Sequence, residues 1–404
     1  MLRIKEQAEQ LKKMLEQHKV LEISLPLCDS ERETVAMVDR LSDLPESLQL
    51  RILSRLDARQ AVQTLALSKS WVSSWTCIPV LNFTCDGLDA FVVNALSRRQ
   101  SVKLDKLTFK HTGTCGDIIS EKVFDYAFSH GVEELEAKLQ YINSWPIGLH
   151  TSSDSLTSLK LFSGNSANCS FLEPRSGSFK NLTNLYLREV IITNLDPFSG
   201  FPALDKLRLD FCPLRTKGNA LNVHAPRLSE FAILYYKQYV NRCEFTTPKL
   251  RYFEWQGCNF PKLTCGGLPV LETVVIDYNG HCRQEQERMM FDDLLMLFNP
   301  LQNARSLTLF SPVVHLLTQF PVNGCSPFWK LKRLKLDFIS FRNDNLFKGP
   351  CRLLMDLLEL VPGLEAYLLP KSDDANCSVM VINEINPEAR AVLKAAFARR
   401  KAIQ

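Results

Sequence analysis

The sequence has no long apolar segment. Among its 404 residues no run approaches the about 18 consecutive apolar residues that a membrane-spanning helix needs, so no membrane partner is expected. The opening stretch, MLRIKEQAEQLKKM, mixes acids with lysines and lacks the apolar core of a secretory signal. The net charge is only +4, and direct nucleic-acid binding is therefore not expected either.

The cysteines lack close pairs. There are 13 of them, an odd number, scattered from Cys28 to Cys377. Without a secretory signal, this distribution is typical of reduced thiols inside the cell. We therefore expect the protein in the cytoplasm, the nucleus or both.

Motifs that carry chemistry are also missing. No glycine-rich phosphate loop is present, and no serine lies in a nucleophile elbow. His111 and Cys115 are four residues apart and His281 adjoins Cys282, but neither pair has a second ligand pair at zinc-finger spacing. We predict no catalytic residue, no metal site, no cofactor and no enzymatic activity.

Residues 41–83 predict three short helices. The spacing of Asp43 and Glu46 predicts a capping box, with Pro45 in the first turn. Apolar residues then recur at helical spacing: Leu48, Ile52, Leu53, Leu56, Ala61, Val62, Leu65, Trp71 and Trp75. A unit this small cannot bury so much apolar surface alone. Either the rest of the chain covers it or another protein does.

This stretch resembles the F-box of plant F-box/leucine-rich-repeat proteins (F-box/LRR, FBD-like). The residues that match are Leu44, Pro45, Leu48, Ile52, Leu53, Leu56, Ala61, Val62, Leu67, Ser68, Lys69, Trp71 and Trp75. Two positions depart from the family, which usually carries basic residues where this chain has Ser70 and Val72. We therefore expect the hold on a partner to depend on hydrophobic packing more than on charge.

The resemblance implies a partner for this segment, a Skp adaptor (ASK-type in plants) and through it a cullin. Ten positions match those that typically pack on the adaptor or support that contact: Leu44, Pro45, Leu48, Ile52, Leu53, Leu56, Val62, Leu67, Trp71 and Trp75. Because leucine-rich repeats can bury their own leucines, we expect the adaptor, and not the repeats, to cover the two tryptophans.

From about residue 100 the chain repeats the pattern Leu-x-x-Leu-x-Leu, with other apolar residues allowed. Eleven copies begin at Leu104, Val132, Leu156, Leu182, Leu204, Leu228, Leu250, Leu271, Ala304, Leu331 and Leu364. Their separations run from 21 to 33 residues, and most lie within the about 20 to 29 expected of leucine-rich repeats. The predicted fold is α/β, with an all-α F-box followed by a solenoid that has a curved parallel sheet.

The predicted organisation has four parts. They are a helical leader and linker (1–40), the F-box (41–83), the repeats (100–370) and a C-terminal loop with a capping helix (371–404). The leader is either a dimerisation helix, a frayed segment or a helix docked on its own protein. Return helices are predicted around Met289 and after Cys351, the latter followed by a last strand at Leu364. Residues 399–401 are basic, which suggests either a weak nuclear signal or charge that complements a helix end.

Within each predicted strand the residues between the buried leucines point to the concave face. The candidate target-binding residues there are Lys160, Phe162, Tyr186, Arg188, Lys206 and Arg208. This basic and aromatic set favours an acidic or phosphorylated partner, because guanidinium groups pair bidentately with such anions. The alternative is a solvated face of mixed charge, since Asp205 and Asp210 lie nearby.

The combination predicts the substrate-recognition subunit of a Skp–cullin–F-box ubiquitin ligase. The resemblance implies that such a subunit supplies no catalytic residue and acts by raising the effective concentration of its target. Two alternatives remain open. One is a leucine-rich-repeat scaffold without a ligase role, and the other is a small-molecule co-receptor of the hormone-sensing kind. The identity of the target cannot be read from the fold.

Overall fold

The computed structural model describes residues 44–66, 69–85, 89–99, 102–114, 117–142, 145, 152–164, 170–171, 178–236, 240–278, 286–318, 320, 326–337, 367–368 and 377–382. The predicted leader, the C-terminal capping helix, the helix after Cys351 and the candidate residue Leu67 lie outside these ranges.

The F-box segment forms the three predicted helices, α1 (Glu46–Leu53), α2 (Ala58–Gln63) and α3 (Lys69–Thr76). The predicted capping box at Glu46 is wrong, because α1 begins at that residue with Pro45 as its N-cap and no side-chain cap. A capping box is found instead at the start of α2. There Asp57 accepts a hydrogen bond from the Arg59 N–H at 2.9 Å, and Gln60 reaches back to the Asp57 N–H at 3.3 Å.

A twelve-stranded parallel sheet forms the body of the chain, in the order β1-β2-β3-β4-β6-β8-β10-β12-β14-β15-β16-β17. Its strands are β1 (Val80–Cys85), β2 (Lys106–Thr114), β3 (Glu134–Tyr141), β4 (Ser158–Ser163), β6 (Asn184–Arg188), β8 (Lys206–Asp210), β10 (Glu230–Tyr236), β12 (Tyr252–Gly257), β14 (Thr273–Tyr278), β15 (Ser306–Phe310), β16 (Arg333–Asp337) and β17 (Ser378–Ile382). The predicted α/β solenoid is confirmed.

The leucine pattern builds this sheet because alternate residues of a strand face opposite sides. Leu185, Leu207 and Phe231 pair in register on neighbouring strands and are buried, as are Leu187, Leu209 and Ile233 two positions later. The entry to each strand is fixed by one carbonyl that accepts two N–H groups of the next repeat. The carbonyl of Thr183, for example, accepts from Asp205 at 2.8 Å and from Lys206 at 2.9 Å.

The two ends of the sheet differ from the sequence prediction. The first strand, β1, lies ahead of the eleven predicted copies, although Ile78, Leu81 and Phe83 fit the same relaxed pattern and are buried. At the other end, the predicted strand at Leu364 is wrong, since Tyr367 and Leu368 within it are helical. Both are buried, and the Tyr367 ring lies 6.4 Å from that of Phe298 in a return segment. The strand beside β16 is instead β17, whose valines and isoleucine suit a strand.

The return segments between strands contain further short elements. The helices are α4 (Asp89–Ser97), α5 (Asp117–Ser129), α6 (Glu287–Phe298) and α7 (Ser311–Thr318), with 3-10 turns at Thr64–Ala66, Lys217–Asn219 and Asn299–Leu301. Two small parallel sheets pair β5 (Ser170–Phe171) with β7 (Ile191–Ile192), and β9 (Ala220–His224) with β11 (Arg242–Thr246) and β13 (Lys262–Cys265). Helix α6 confirms the return helix predicted around Met289. Within the described ranges, no helix has both the length and the apolar character to cross a membrane.

The F-box segment is joined directly to the first strands of the sheet. The Asp57 carboxylate accepts from the Thr84 N–H of β1 at 2.8 Å, and the Asn82 amide donates to the Ser54 carbonyl at 3.2 Å. Arg99, after α4, donates to the Trp75 carbonyl at 3.0 Å from its Nη1 and to the Tyr126 hydroxyl at 3.2 Å from its Nε. The helices and the sheet therefore share one core.

Candidate protein-interaction surfaces

Both tryptophans of α3 are covered by their own chain. Trp71 is 1% exposed and Trp75 is 3% exposed. The Arg99 guanidinium lies 5.6 Å from the centroid of the Trp75 ring, a cation–π contact that helps to close this core. The expectation that an outside protein covers these indoles is therefore wrong. With Leu53, which is also buried, they support the F-box segment from within.

A buried glutamine links α1 to α3. The Gln49 amide donates to the Leu44 carbonyl at 2.9 Å, and its oxygen accepts from the Ser74 hydroxyl at 2.7 Å. Because both polar ends of the amide are satisfied, this residue can be buried without an unmet hydrogen bond. The sequence analysis passed over Gln49. A polar residue directly between Leu48 and Leu50 was the available signal.

Apolar side chains remain on the surface of the same helices. Leu48 on α1 is 42% exposed and Val72 on α3 is 44% exposed, and these two helices pack against each other. Pro45 is exposed as well. The half-buried members of the predicted set are Leu44, Ile52, Leu56 and Val62. Leu48 and Val72 are thus exposed aliphatic side chains among polar neighbours on α1 and α3, and Val72 stands where the family usually has a basic residue.

The second surface is a groove on the concave face of the sheet. It encloses about 650 Å³, and four of the six candidate target-binding residues line it: Lys160, Tyr186, Lys206 and Arg208. Phe162 and Arg188 lie one row further along their strands, in register with each other. The side-chain alternation therefore predicted this face correctly, while the role of its residues in target binding stays a prediction.

Tyr186 stands at the centre of the groove and is held from several sides. Its hydroxyl donates to the Asp210 carboxylate, and the Phe162 ring meets its ring edge-on with centroids 4.9 Å apart. The Arg208 guanidinium lies 5.2 Å from the ring centroid and donates from Nε to Asp210 at 3.1 Å. Burial, and then the hydrogen bond to Asp210, raises the pKa of Tyr186 to about 12. The phenol therefore stays protonated and fixed in place.

Most charges on this face are neutralised within the sheet. Lys206 pairs with Glu230 at 2.6 Å, and Glu134 pairs with Lys106 of β2 at 3.1 Å. Burial acts to raise the pKa of the Glu136 carboxyl, but the Lys138 ammonium at 2.7 Å outweighs it, and the pKa of Glu136 is lowered. The groove lining contains three basic residues and three acidic ones. This balance argues against a site that selects anions alone.

One cluster at the start of the sheet resembles a cysteine–histidine–aspartate arrangement. Cys85 pairs in register with His111, whose Nε2 lies 3.0 Å from an Asp89 carboxylate oxygen. The other ring nitrogen, Nδ1, lies 3.0 Å from the Gly113 carbonyl, so neither nitrogen is left for the thiol. Burial, and then the charges of Asp57 and Asp89, raises the pKa of Cys85 to about 12. The cluster therefore lacks an activated nucleophile.

Comparison with known proteins identifies the helical segment. The family model of the F-box domain matches residues 41–80, which include α1 to α3 and end at the first residue of β1. This segment is an F-box. The helices that carry the aliphatic surface are therefore the F-box helices, and those that bury the two tryptophans belong to the same domain.

Most of the chain is similar to plant proteins that are named for an F-box and leucine-rich repeats. A putative F-box/FBD/LRR-repeat protein of Arabidopsis thaliana is 33% identical over 199 residues, which cover 43% of this chain and 39% of that protein. A putative F-box/LRR-repeat protein of the same plant is 23% identical over 363 residues, or 85% of this chain and 74% of that protein. A third, an F-box/LRR-repeat protein, is 53% identical over 45 residues, 11% of this chain and 15% of that protein.

These similarities confirm the resemblance to plant F-box/LRR proteins. The match to the first of these relatives spans well under half of that protein's length. The identity that extends through the repeats is modest, and a recognition face changes while the solenoid stays the same. Nothing about the target therefore follows from the relatives.

Proposed function

We propose that the protein is the substrate-recognition subunit of a Skp–cullin–F-box ubiquitin ligase, in which the F-box binds the Skp-type adaptor and the repeats bind the target. One observation carries the first half of this proposal. After α1 to α3 have packed together and onto β1, the F-box still exposes Leu48 and Val72. Taken with the match of residues 41–80 to the F-box family, this exposure on two helices that pack together supports a protein interface there.

The proposed mechanism is proximity. A target held on the concave face reaches the ubiquitin-conjugating enzyme at a high effective concentration because both are bound to one assembly. The receptor then needs no catalytic group.

The test is co-purification with a Skp adaptor on co-expression. Wild-type chain is expected to elute with the adaptor as a one-to-one complex. Because a carboxylate cannot be buried unpaired without a large cost, the double variant Leu48→Asp/Val72→Asp is expected to lose at least about tenfold in affinity. The matched control is Val270→Asp, which places the same charge at a residue that is 42% exposed and lies outside the F-box.

Adaptor binding by the double variant at wild-type strength would overturn the proposed F-box surface. A wild-type chain that is soluble, monomeric and indifferent to the adaptor would favour the scaffold alternative. Presence in the cytoplasm or nucleus is part of the same proposal. Imaging of a fluorescent fusion checks it, and a secreted or membrane-bound fusion would contradict it.

A further inference from the structure

The concave groove has two charges that make no ion pair within 4 Å among the described residues, Lys160 and Glu254. Glu136, in register with Lys160, forms its ion pair with Lys138, and Lys160 acts on it only at longer range. Glu254 likewise interacts with Arg208 only at longer range, because Arg208 is paired with Asp210. The other charged residues of the groove lining, by contrast, form the pairs Lys206–Glu230, Glu134–Lys106 and Arg208–Asp210.

Glu254 is fixed in position although it lacks a cation. One of its oxygens accepts from the Tyr252 hydroxyl at 2.7 Å, and the other accepts from the Gln256 amide at 2.7 Å. Neutral donors hold a carboxylate in place without cancelling its charge. Gln256 is only 6% exposed, and its own side-chain oxygen has no hydrogen-bond partner. The buried Gln256 oxygen is not part of the groove lining, so the Glu254 carboxylate is the group at this end that a cationic ligand can reach.

The two unpaired charges lie on one row of the sheet. Five residues on neighbouring strands lie in register: Lys160 on β4, Tyr186 on β6, Arg208 on β8, Ala232 on β10 and Glu254 on β12. Four steps between neighbouring strands, at about 4.8 Å each, separate the ends by about 19 Å along the sheet. An extended peptide advances about 3.3 Å per residue. Because the path across a concave surface is shorter than the sheet itself, about four to six residues span it.

The floor of this row leaves space for a peptide. Ala232 lies between Arg208 and Glu254 and has only a methyl group, and it lines the groove. On the other side of Arg208, the Tyr186 ring is held by the guanidinium and by the Asp210 carboxylate. The row thus offers a cation, a rigid aromatic ring, a gap and an anion, in that order.

We propose that this groove binds an extended segment of the target in which an acidic and a basic side chain are about four to six residues apart. The acidic side chain pairs with Lys160 and the basic one with Glu254. This inference rests on the proposed function, because it names the class of target segment that the repeats recognise. It replaces the purely acidic or phosphorylated partner that the sequence suggested, since the structure pairs Lys206 and Arg208 internally.

The test uses fluorescence polarisation on the chain co-purified with its Skp adaptor. The probes are labelled 14-residue peptides of alanine, serine and tyrosine that contain one glutamate and one arginine, separated by one to nine residues in both orders. Acid-only, base-only and phosphoserine-only peptides complete the set. Affinity is expected to be highest at separations of four to six, in one order of charges, and to fall by about fivefold when either charge is missing.

Charge variants check the assignment of each end. Glu254→Gln is expected to reduce binding of the two-charge peptide to that of the acid-only peptide, and Lys160→Met to that of the base-only peptide. The double reversal Lys160→Glu/Glu254→Lys is expected to invert the preferred order of charges, a gain that misfolding cannot produce. Glu272→Gln is the control, because Glu272 lies outside the groove lining and pairs with Arg251 at 3.6 Å.

Three results would overturn the inference. They are affinity that does not depend on the separation of the charges, a phosphoserine-only peptide that binds as tightly as the best two-charge peptide, and no saturable binding by any peptide at about 1 mM. Adaptor co-elution is measured on the same samples. If the adaptor still co-elutes, only the inference fails; if it does not, the proposed function fails separately.

Discussion

The burial of Trp71 predicts that its truncation acts on folding and not on an interface. The side chain is 1% exposed inside the core that α3 shares with its neighbours. Removing a fully buried tryptophan costs about 3–5 kcal/mol, from lost transfer energy and from the cavity left behind. Whole domains are stable by only about 5–15 kcal/mol. Trp71→Ala is therefore expected to destabilise the F-box strongly, whether or not an adaptor is present.

Urea unfolding followed by circular dichroism measures this effect without relying on tryptophan fluorescence. A loss of about 4 kcal/mol at a slope of about 3 kcal/mol per molar lowers the midpoint by more than about 1 M. The matched control is Trp329→Ala, because Trp329 is 56% exposed. Its midpoint is expected to stay within about 0.2 M of wild type, since truncation of an exposed side chain rarely costs more than about 0.5 kcal/mol.

The opposite behaviour is expected of Leu48, which is exposed. Leu48→Ala should leave the urea midpoint close to that of wild type and weaken adaptor binding. The reasoning would be refuted if Trp71→Ala kept the wild-type midpoint and lost only the adaptor. The indole would then act at the interface, and its burial in the free chain would not describe its role.

Three further predictions follow from the same geometry. Asp57→Ala should lower stability by about 1–2 kcal/mol in urea unfolding, because it removes a helix cap and the acceptor of the Thr84 N–H; an unchanged midpoint would contradict this. Burial raises the pKa of Cys212 to about 12, so iodoacetamide at pH 8 should label half-buried Cys265 before it labels Cys212. Mass spectrometry measures the two rates, and faster labelling of Cys212 would refute its burial. The pKa of Tyr186 is raised in the fold to about 12 from an ordinary value of 10.0, so its contribution to stability should be complete below pH 10 and lost as the pH rises towards 12. Tyr186→Phe should weaken that alkaline loss, and an unchanged pH profile would contradict the assignment.

The sequence predicted the body of the solenoid because one local pattern is enough to build it. Ten of the eleven leucine-pattern segments contain strands of the main sheet. The pattern works because each strand needs only alternate apolar residues to face the shared core. The ends were predicted less well. Ile78, Leu81 and Phe83 at β1 fit the same spacing but were passed over. β17 pairs with β16 without the full motif, and the apolar segment at Leu364 serves equally well as a buried helix.

Which face of each F-box helix is buried in the chain's own core was harder to predict than the helices themselves. Spacing correctly placed Trp71 and Trp75 on one side of α3, but it does not say what lies opposite. The cover includes Arg99, which is more than twenty residues away in sequence and reaches back to the Trp75 carbonyl. Only a tertiary contact distinguishes an indole in a core from an indole at an interface.

The concave face shows a similar division. The alternation of side chains along each strand correctly predicted which residues lie on the concave face. Their charges, taken one strand at a time, suggested a basic patch. The pairs that cancel them join neighbouring repeats, as Lys206 does with Glu230 and Lys106 with Glu134. Each pair is separated by about one repeat length. Aligning the repeats by their leucines before counting charge is the signal that finds such pairs.

The direct joint between the F-box and the sheet sets the geometry of any transfer reaction. Only residues 77–79 separate the end of α3 at Thr76 from the start of β1 at Val80, and Arg99 and Asp57 tie the two parts together. No swinging linker is present at this joint. Under the proposed function, a bound target is therefore held at a fixed angle to the adaptor. The lysine that receives ubiquitin is then set by its distance from the groove along the target chain. An extended chain covers about 3.3–3.6 Å for each residue beyond the groove.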